Sequence, residues 1–89
     1  MGRYEKEARM HAERIDHYYD HGAGLGYSQA IHHYHKMCDL IASATRSRHD
    51  KSDVVVIQGL KDHAEPQMVE MKRRQDVYDQ TRTGVDVKR

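Results

Sequence analysis

Apolar and small residues recur every three or four positions over residues 3–21, with charged side chains between them. This spacing lines one side of an α-helix and predicts an amphipathic helix over 3–21. Gly22, Gly24 and Gly26 follow and disfavour further helix, and we expect Gly22 to cap the helix in the left-handed conformation. The predicted apolar stripe consists of Tyr4, Ala8, His11, Ala12, Ile15, Tyr18 and Tyr19.

A second stripe with the same period begins after the glycines and predicts a helix over about 28–47. Ser28 is a suitable N-cap for this helix, because its hydroxyl can accept a hydrogen bond from a free backbone N–H. The two helices are expected to form an antiparallel hairpin in which His11 lies level with Cys38. The second stripe consists of Tyr27, Ala30, Ile31, Tyr34, Met37, Cys38, Ile41 and Ala44.

The segment from Val54 to Ile57 can be interpreted in two ways, because successive β-branched residues favour a strand. The sequence offers no second strand to pair with it, whereas a helix gives one continuous apolar stripe. We therefore predict a third helix over about 53–82, with Ser52 or Asp53 as its N-cap. Its stripe consists of Ile57, Leu60, Ala64, Met68, Met71, Gln75 and Tyr78.

Pro66 lies inside this third helix, where it lacks a backbone donor and disfavours helical geometry at Glu65. A kink or a break is therefore predicted near Pro66. Residues 84–89 show no periodic pattern and are predicted to form a frayed tail. The predicted fold is a single all-α domain over residues 1–89, with an antiparallel helical hairpin followed by a long third helix.

The composition favours assembly with further subunits. The 89 residues are 37% hydrophobic and include six tyrosines but no tryptophan or phenylalanine. Short chains with thin cores often gain stability by assembling, so we expect a homo-oligomeric helical bundle. Met10 and Leu40 fall off the predicted stripes and are expected to be exposed. The residues predicted to lie at an interface are Met10, Arg14, His17, Tyr18, Tyr34, Met68, Met71 and Tyr78.

The formal charge of +1 gives no field of one sign that would favour nucleic acid or anionic membranes as partners. The single cysteine, Cys38, excludes an internal disulfide, and no signal peptide or long apolar run is visible. These features predict a soluble protein of a reducing cytoplasm. Catalysis is not indicated either, since the sequence has no nucleophile motif, no paired carboxylates and no Glu-x-x-His pairs. No cofactor is expected.

Eight histidines are a high number for this length, and helical spacing gathers several of them in pairs. Imidazoles from both helices of the hairpin could hold zinc or another transition metal. The stripes argue against a centre within one chain, because His17 and His32 should lie level with each other but point away from the core. His11 lies on a stripe and is expected to bond a tyrosine hydroxyl or a backbone carbonyl. The candidate metal ligands are His17, His21, His32, His35 and Asp39.

The glycine turn is the second candidate site. Glycine-rich loops bring backbone N–H groups close to phosphates at helix N-termini. The Rossmann and Walker motifs need a preceding strand or a following lysine and hydroxyl residue, and neither context is present. What remains is an anion or nucleotide site beside the second helix. The predicted ligand-binding residues are Tyr27, Ser28, Gly24, Gly26 and His21.

The sequence therefore favours a non-enzymatic helical interaction protein that acts as a homo-oligomer. Such a protein would bind a partner protein or sequester a small anionic or nucleotide ligand. A phage-encoded modulator of a host or defence pathway has this size and this lack of motifs, although that analogy is one of type alone. The alternatives are a histidine-based metal-binding protein and a nucleic-acid-binding accessory protein.

Overall fold

A computed structural model describes residues 2–22 and 26–87 of the backbone, and side chains as far as residue 80. Three helices form in chain order: α1 (Arg3–His21), α2 (Tyr27–Arg46) and α3 (Lys51–Val87). Each helix packs against the other two, and the described residues contain no strand. The predicted all-α fold is confirmed, including the helical interpretation of residues 54–57.

The core lies on the predicted stripes of all three helices. Ile15, Met37 and Ile57 are its largest fully buried side chains, one from each helix. Leu40 is also buried, which contradicts its predicted exposure. The reason is that α2 contacts both α1 and α3, so its buried side is wider than one narrow stripe. The remaining buried hydrophobic residues are Ala8, Ala30, Ala44, Ala64, Met68 and Met71.

Two predicted caps around the glycine turn are wrong. Gly22 is in the right-handed region with φ −76° and ψ −18°, and its N–H donates to the Tyr18 carbonyl at 2.8 Å. Gly26 takes the N-cap position of α2, while the Ser28 hydroxyl bonds the Gln29 side chain instead. Gly26 is needed for close packing, because an added Cβ would lie 2.9 Å from Tyr18 Cβ.

Helix α3 is longer than the pattern predicted. It begins at Lys51 and passes Pro66 as one helix, so the chain does not break there, and the kink stays a prediction. Residues 84–87 are helical, which contradicts the frayed tail for that part, while residues 88 and 89 lie outside the described residues. Backbone hydrogen bonds can extend an existing helix beyond the end of its apolar stripe. Hydrophobic periodicity does not show such an extension.

The N-terminus of α1 is capped by a residue of α3. Asp53 is only 5% exposed, and its Oδ2 accepts a hydrogen bond from the Glu5 N–H at 3.2 Å. A Cβ added to Gly2 would overlap the Asp53 carboxylate, so Gly2 provides the space that this cap requires. The sequence predicted that Ser52 or Asp53 would cap α3, but Asp53 caps the helix beside it, and α3 already begins at Lys51.

The C-terminal end of α1 is bound by a cation from α3. Arg74 Nη1 donates to the Tyr19 carbonyl at 2.8 Å, and its guanidinium lies 4.6 Å from the centre of the Tyr19 ring. Glu70 accepts hydrogen bonds from both Arg73 and Arg74, which lower the pKa of its carboxyl to about 2. The carboxylate therefore holds Arg74 in position over α1.

Replacing Asp53 by alanine should lower the free energy of unfolding by about 1 kcal/mol, which is typical of a lost N-terminal cap. The matched control is Asp62→Ala, because Asp62 is exposed on the same helix and accepts a hydrogen bond from Gln58, one turn earlier, at 3.0 Å. The control should change stability by less than about 0.5 kcal/mol. Urea unfolding followed by circular dichroism measures both, and equal losses would contradict the role of Asp53.

Candidate functional site

A pair of histidines joins α1 to α2 near the middle of the hairpin. His11 is buried, and its Nδ1 lies 2.9 Å from His33 Nδ1. One of the two nitrogens must donate the hydrogen bond and the other must accept it. His11 was predicted to bond a tyrosine hydroxyl or a carbonyl and to lie level with Cys38. Instead it faces His33, more than one helical turn earlier, because α2 already begins beside Tyr18.

The surroundings of this pair are aromatic and positively charged. The Tyr18 ring stacks on His33 with centroids 6.2 Å apart, and the His32 ring packs edge-on against it at 5.5 Å. Burial lowers the pKa of His11 below its ordinary value, although Glu7, whose Oε2 lies 3.8 Å from His11 Nε2, offsets part of this. Burial likewise lowers the pKa of His33.

The four histidines proposed as metal ligands do not form a common site in this chain. His17, His21, His32 and His35 are all exposed. His17 and His21 stack on one another at 4.8 Å, and the His21 ring bonds the His17 carbonyl. Among the residues that the structure describes, no three histidine, cysteine or acidic side chains lie close enough together to hold a metal ion. Asp39, the fifth candidate ligand, also belongs to no such group among the described residues.

The glycine turn borders a shallow depression of about 210 Å³. Two of the predicted ligand-binding residues, His21 and Gly26, line it together with His17, Tyr18, Gly22 and Gln29. Tyr27 packs against the core instead, Ser28 is exposed beside the turn, and Gly24 lies outside the described residues. The first turn of α2 contains no acidic residue, so its free N–H groups face no competing carboxylate from that turn.

The predicted interface residues separate into two groups. Met68 and Met71 are buried in the core of the chain itself, and Tyr18 and Tyr34 pack against that core. Met10, Arg14, His17 and Tyr78 are exposed. Tyr34 has a further role, since the Lys61 ammonium lies 5.4 Å from the centre of its ring and Tyr34 raises the pKa of that lysine. The outer side of α1 and the far part of α3 are therefore the surfaces to consider.

Sequence reasoning did not select His33, although His33 makes the closest side-chain contact of α2 with His11. His33 lies between the predicted stripe and the exposed side, and the expected register placed Cys38 opposite His11. A register that pairs Gly26 with Tyr18 would have revealed the contact, because the same offset brings His11 to His33. The informative residue was therefore Gly26, which packs against α1 at Tyr18. Composition alone does not show which glycine makes such a contact.

Comparison with protein family models, with curated proteins and with solved structures gives no match for this chain. None of the three helices, over the residues described, contains a stretch that is both apolar and long enough to span a membrane. The candidate site therefore has to be interpreted from its own geometry.

The packing of Gly26 on Tyr18 leads to a test with two glycines. Gly26→Ala should destabilise the protein by about 1 to 3 kcal/mol, because the new methyl group overpacks the turn. Gly59→Ala is the matched control, since Gly59 lies inside α3 and an added Cβ would meet nothing within 4 Å. That control should stabilise by about 1 kcal/mol through helix propensity. Thermal and urea unfolding of both variants measure the difference, and a stabilised Gly26 variant would contradict the packing argument.

Proposed function

We propose that the protein is a non-enzymatic interaction protein that works as a homo-oligomer, and that the distal part of α3 joins the copies. The supporting observation is the mismatch in helix length. Helix α3 has 37 residues, whereas α1 and α2 have 19 and 20. Since α3 spans about 55 Å, it is much longer than the helices beside it. The radius of gyration of 16.1 Å exceeds the roughly 12 Å expected for a compact chain of this length.

The apolar stripe of α3 continues past the hairpin. Met71 is its last buried residue among those described, and residues 76–80 are all exposed. Tyr78 lies two helical turns after Met71 on the same side of the helix. It is 38% exposed, whereas the other tyrosines pack against the core. The face that covers the hairpin therefore extends beyond it and presents an aromatic side chain, which is typical of interfaces.

The charges along this segment favour a second copy as the occupant. The basic residues Lys72 and Arg73 lie at the start of residues 72–79, whereas Asp76 lies near the middle and Asp79 at the end. In an antiparallel pair of α3 helices centred between residues 75 and 76, Lys72 of each copy would lie opposite Asp79 of the other. A surface that complements itself in this way is what a two-fold dimer requires. The dimer would leave Met10 and its charged neighbours on α1 available for another protein.

The test uses two adjacent residues of α3, whose side chains point about 100° apart. Tyr78→Lys should convert a dimer into a monomer of about 10.4 kDa, because it places a charge in the proposed apolar contact. Val77→Lys is the matched control, since Val77 is 49% exposed on the side away from the stripe. Light scattering coupled to gel filtration, over a range of protein concentrations, measures the mass. A monomeric parent protein, or equal effects of both variants, would contradict the proposal.

We propose, as a second candidate, that the glycine turn binds a small anion. The support is the depression between α1 and α2, where two of the predicted ligand residues, His21 and Gly26, meet His17. Protonated imidazoles and free helix N–H groups both attract phosphate.

Inorganic phosphate and ATP are the probes for this candidate, and amide shifts in NMR spectra measure their binding. His21→Ala should weaken binding, because it removes one of the two imidazoles that border the depression. His35→Ala should not, because His35 is exposed on α2 and does not line the depression. Shifts that are absent at the turn in the parent protein, or unaltered in the His21 variant, would exclude the site.

A further inference from the structure

The contact between His11 and His33 has an unusual requirement. Its hydrogen bond joins two atoms of the same kind, Nδ1 to Nδ1, at 2.9 Å. The bond forms when one of these nitrogens carries a proton and the other does not. If both rings are protonated, two N–H groups face each other, and two positive charges lie about as far apart as the ring centroids, which are separated by 5.1 Å. The contact then changes from attraction to repulsion.

The groups around the pair strengthen this effect. Besides burial, the positive charge of Arg14 on α1 lowers the pKa of His33. On α2, His32 and Lys36 lower the pKa of His11 in the same way. Glu7 of α1 is the compensating acid, but its side chain is 55% exposed and therefore well solvated. Among the described residues, no charged group of α3 shifts the pKa of either ring. Little negative charge therefore lies near the pair to stabilise a second proton.

We propose that His11 and His33 form an acid-sensitive latch between α1 and α2. The latch holds the middle of the hairpin closed while one of the facing nitrogens is unprotonated, and it releases the two helices when both rings are protonated. Because α3 binds α1 near both ends, through Asp53 and Arg74, opening is concentrated in the middle of α1. The latch does not depend on whether a second copy binds α3.

The sign of the pH dependence follows from the pKa values. Both rings have a pKa below the ordinary value near 6.5 in the folded protein, whereas in the unfolded chain they titrate near that value. The unfolded chain therefore binds protons first as the pH falls. The stabilisation by the pair is complete above the ordinary pKa, and it is lost as the pH falls through the folded pKa values of the two rings.

The first experiment measures the titration of each histidine in the parent protein by NMR, from the ring Cε1 protons. We expect the pKa values of His11 and His33 to lie below the ordinary histidine value near 6.5, and the backbone signals of α1 and α2 near the pair to change in the same pH range. The latch is excluded if both rings titrate at the ordinary value or if the helices do not respond.

The second experiment compares urea midpoints at about pH 7.5 and about pH 5.5, on either side of the ordinary histidine pKa. The parent protein should show a lower midpoint in acid. His33→Asn should lose most of this shift, because an amide still offers His11 a polar partner but cannot be protonated. His35→Asn, which alters an exposed histidine of the same helix, should retain the full shift. Equal shifts in the parent protein and the His33 variant would overturn the proposal.

Discussion

Helix α3 binds both ends of α1, and the rest of the bundle depends on this pair of contacts. A carboxylate from Asp53 meets the positive N-terminal end of α1, and a guanidinium from Arg74 meets its negative C-terminal end. Each charge has the sign that the helix dipole favours. The two contacts fix the position of α1 along α3, and the position of α1 in turn determines which residues of α2 face it.

The core itself is small and depends on alanine as much as on large side chains. Ala8, Ala30 and Ala64 are buried with Ile15 and Met37, so the helix backbones can approach closely. Tyrosines surround this core, and cations cover the rings of several of them, as Arg74 does for Tyr19 and Lys61 for Tyr34. In a chain without tryptophan or phenylalanine, these rings supply apolar area at the rim of the core.

Hydrophobic periodicity predicted the three helices and most of the core, because burial against a neighbouring helix imposes a repeat of 3.6 residues. Ile57, Ala64 and Met71 are buried as the stripe of α3 indicated. Periodicity reports neither register nor caps, since these depend on single contacts between distant residues. For that reason the sequence placed Cys38 opposite His11, where the structure places His33.

The contacts of α3 with α1 also constrain the order of folding. Asp53 and Glu5 are 48 positions apart, and Arg74 and Tyr19 are 55 apart, whereas His11 and His33 are only 22 apart. Closing the shorter loop costs less chain entropy, so the hairpin of α1 and α2 can form first. The C-terminal end of α1 then gains its guanidinium partner only when residue 74 has been synthesised. A hairpin that forms before α3 lacks both of these contacts, and the histidine pair is one of the contacts available to it.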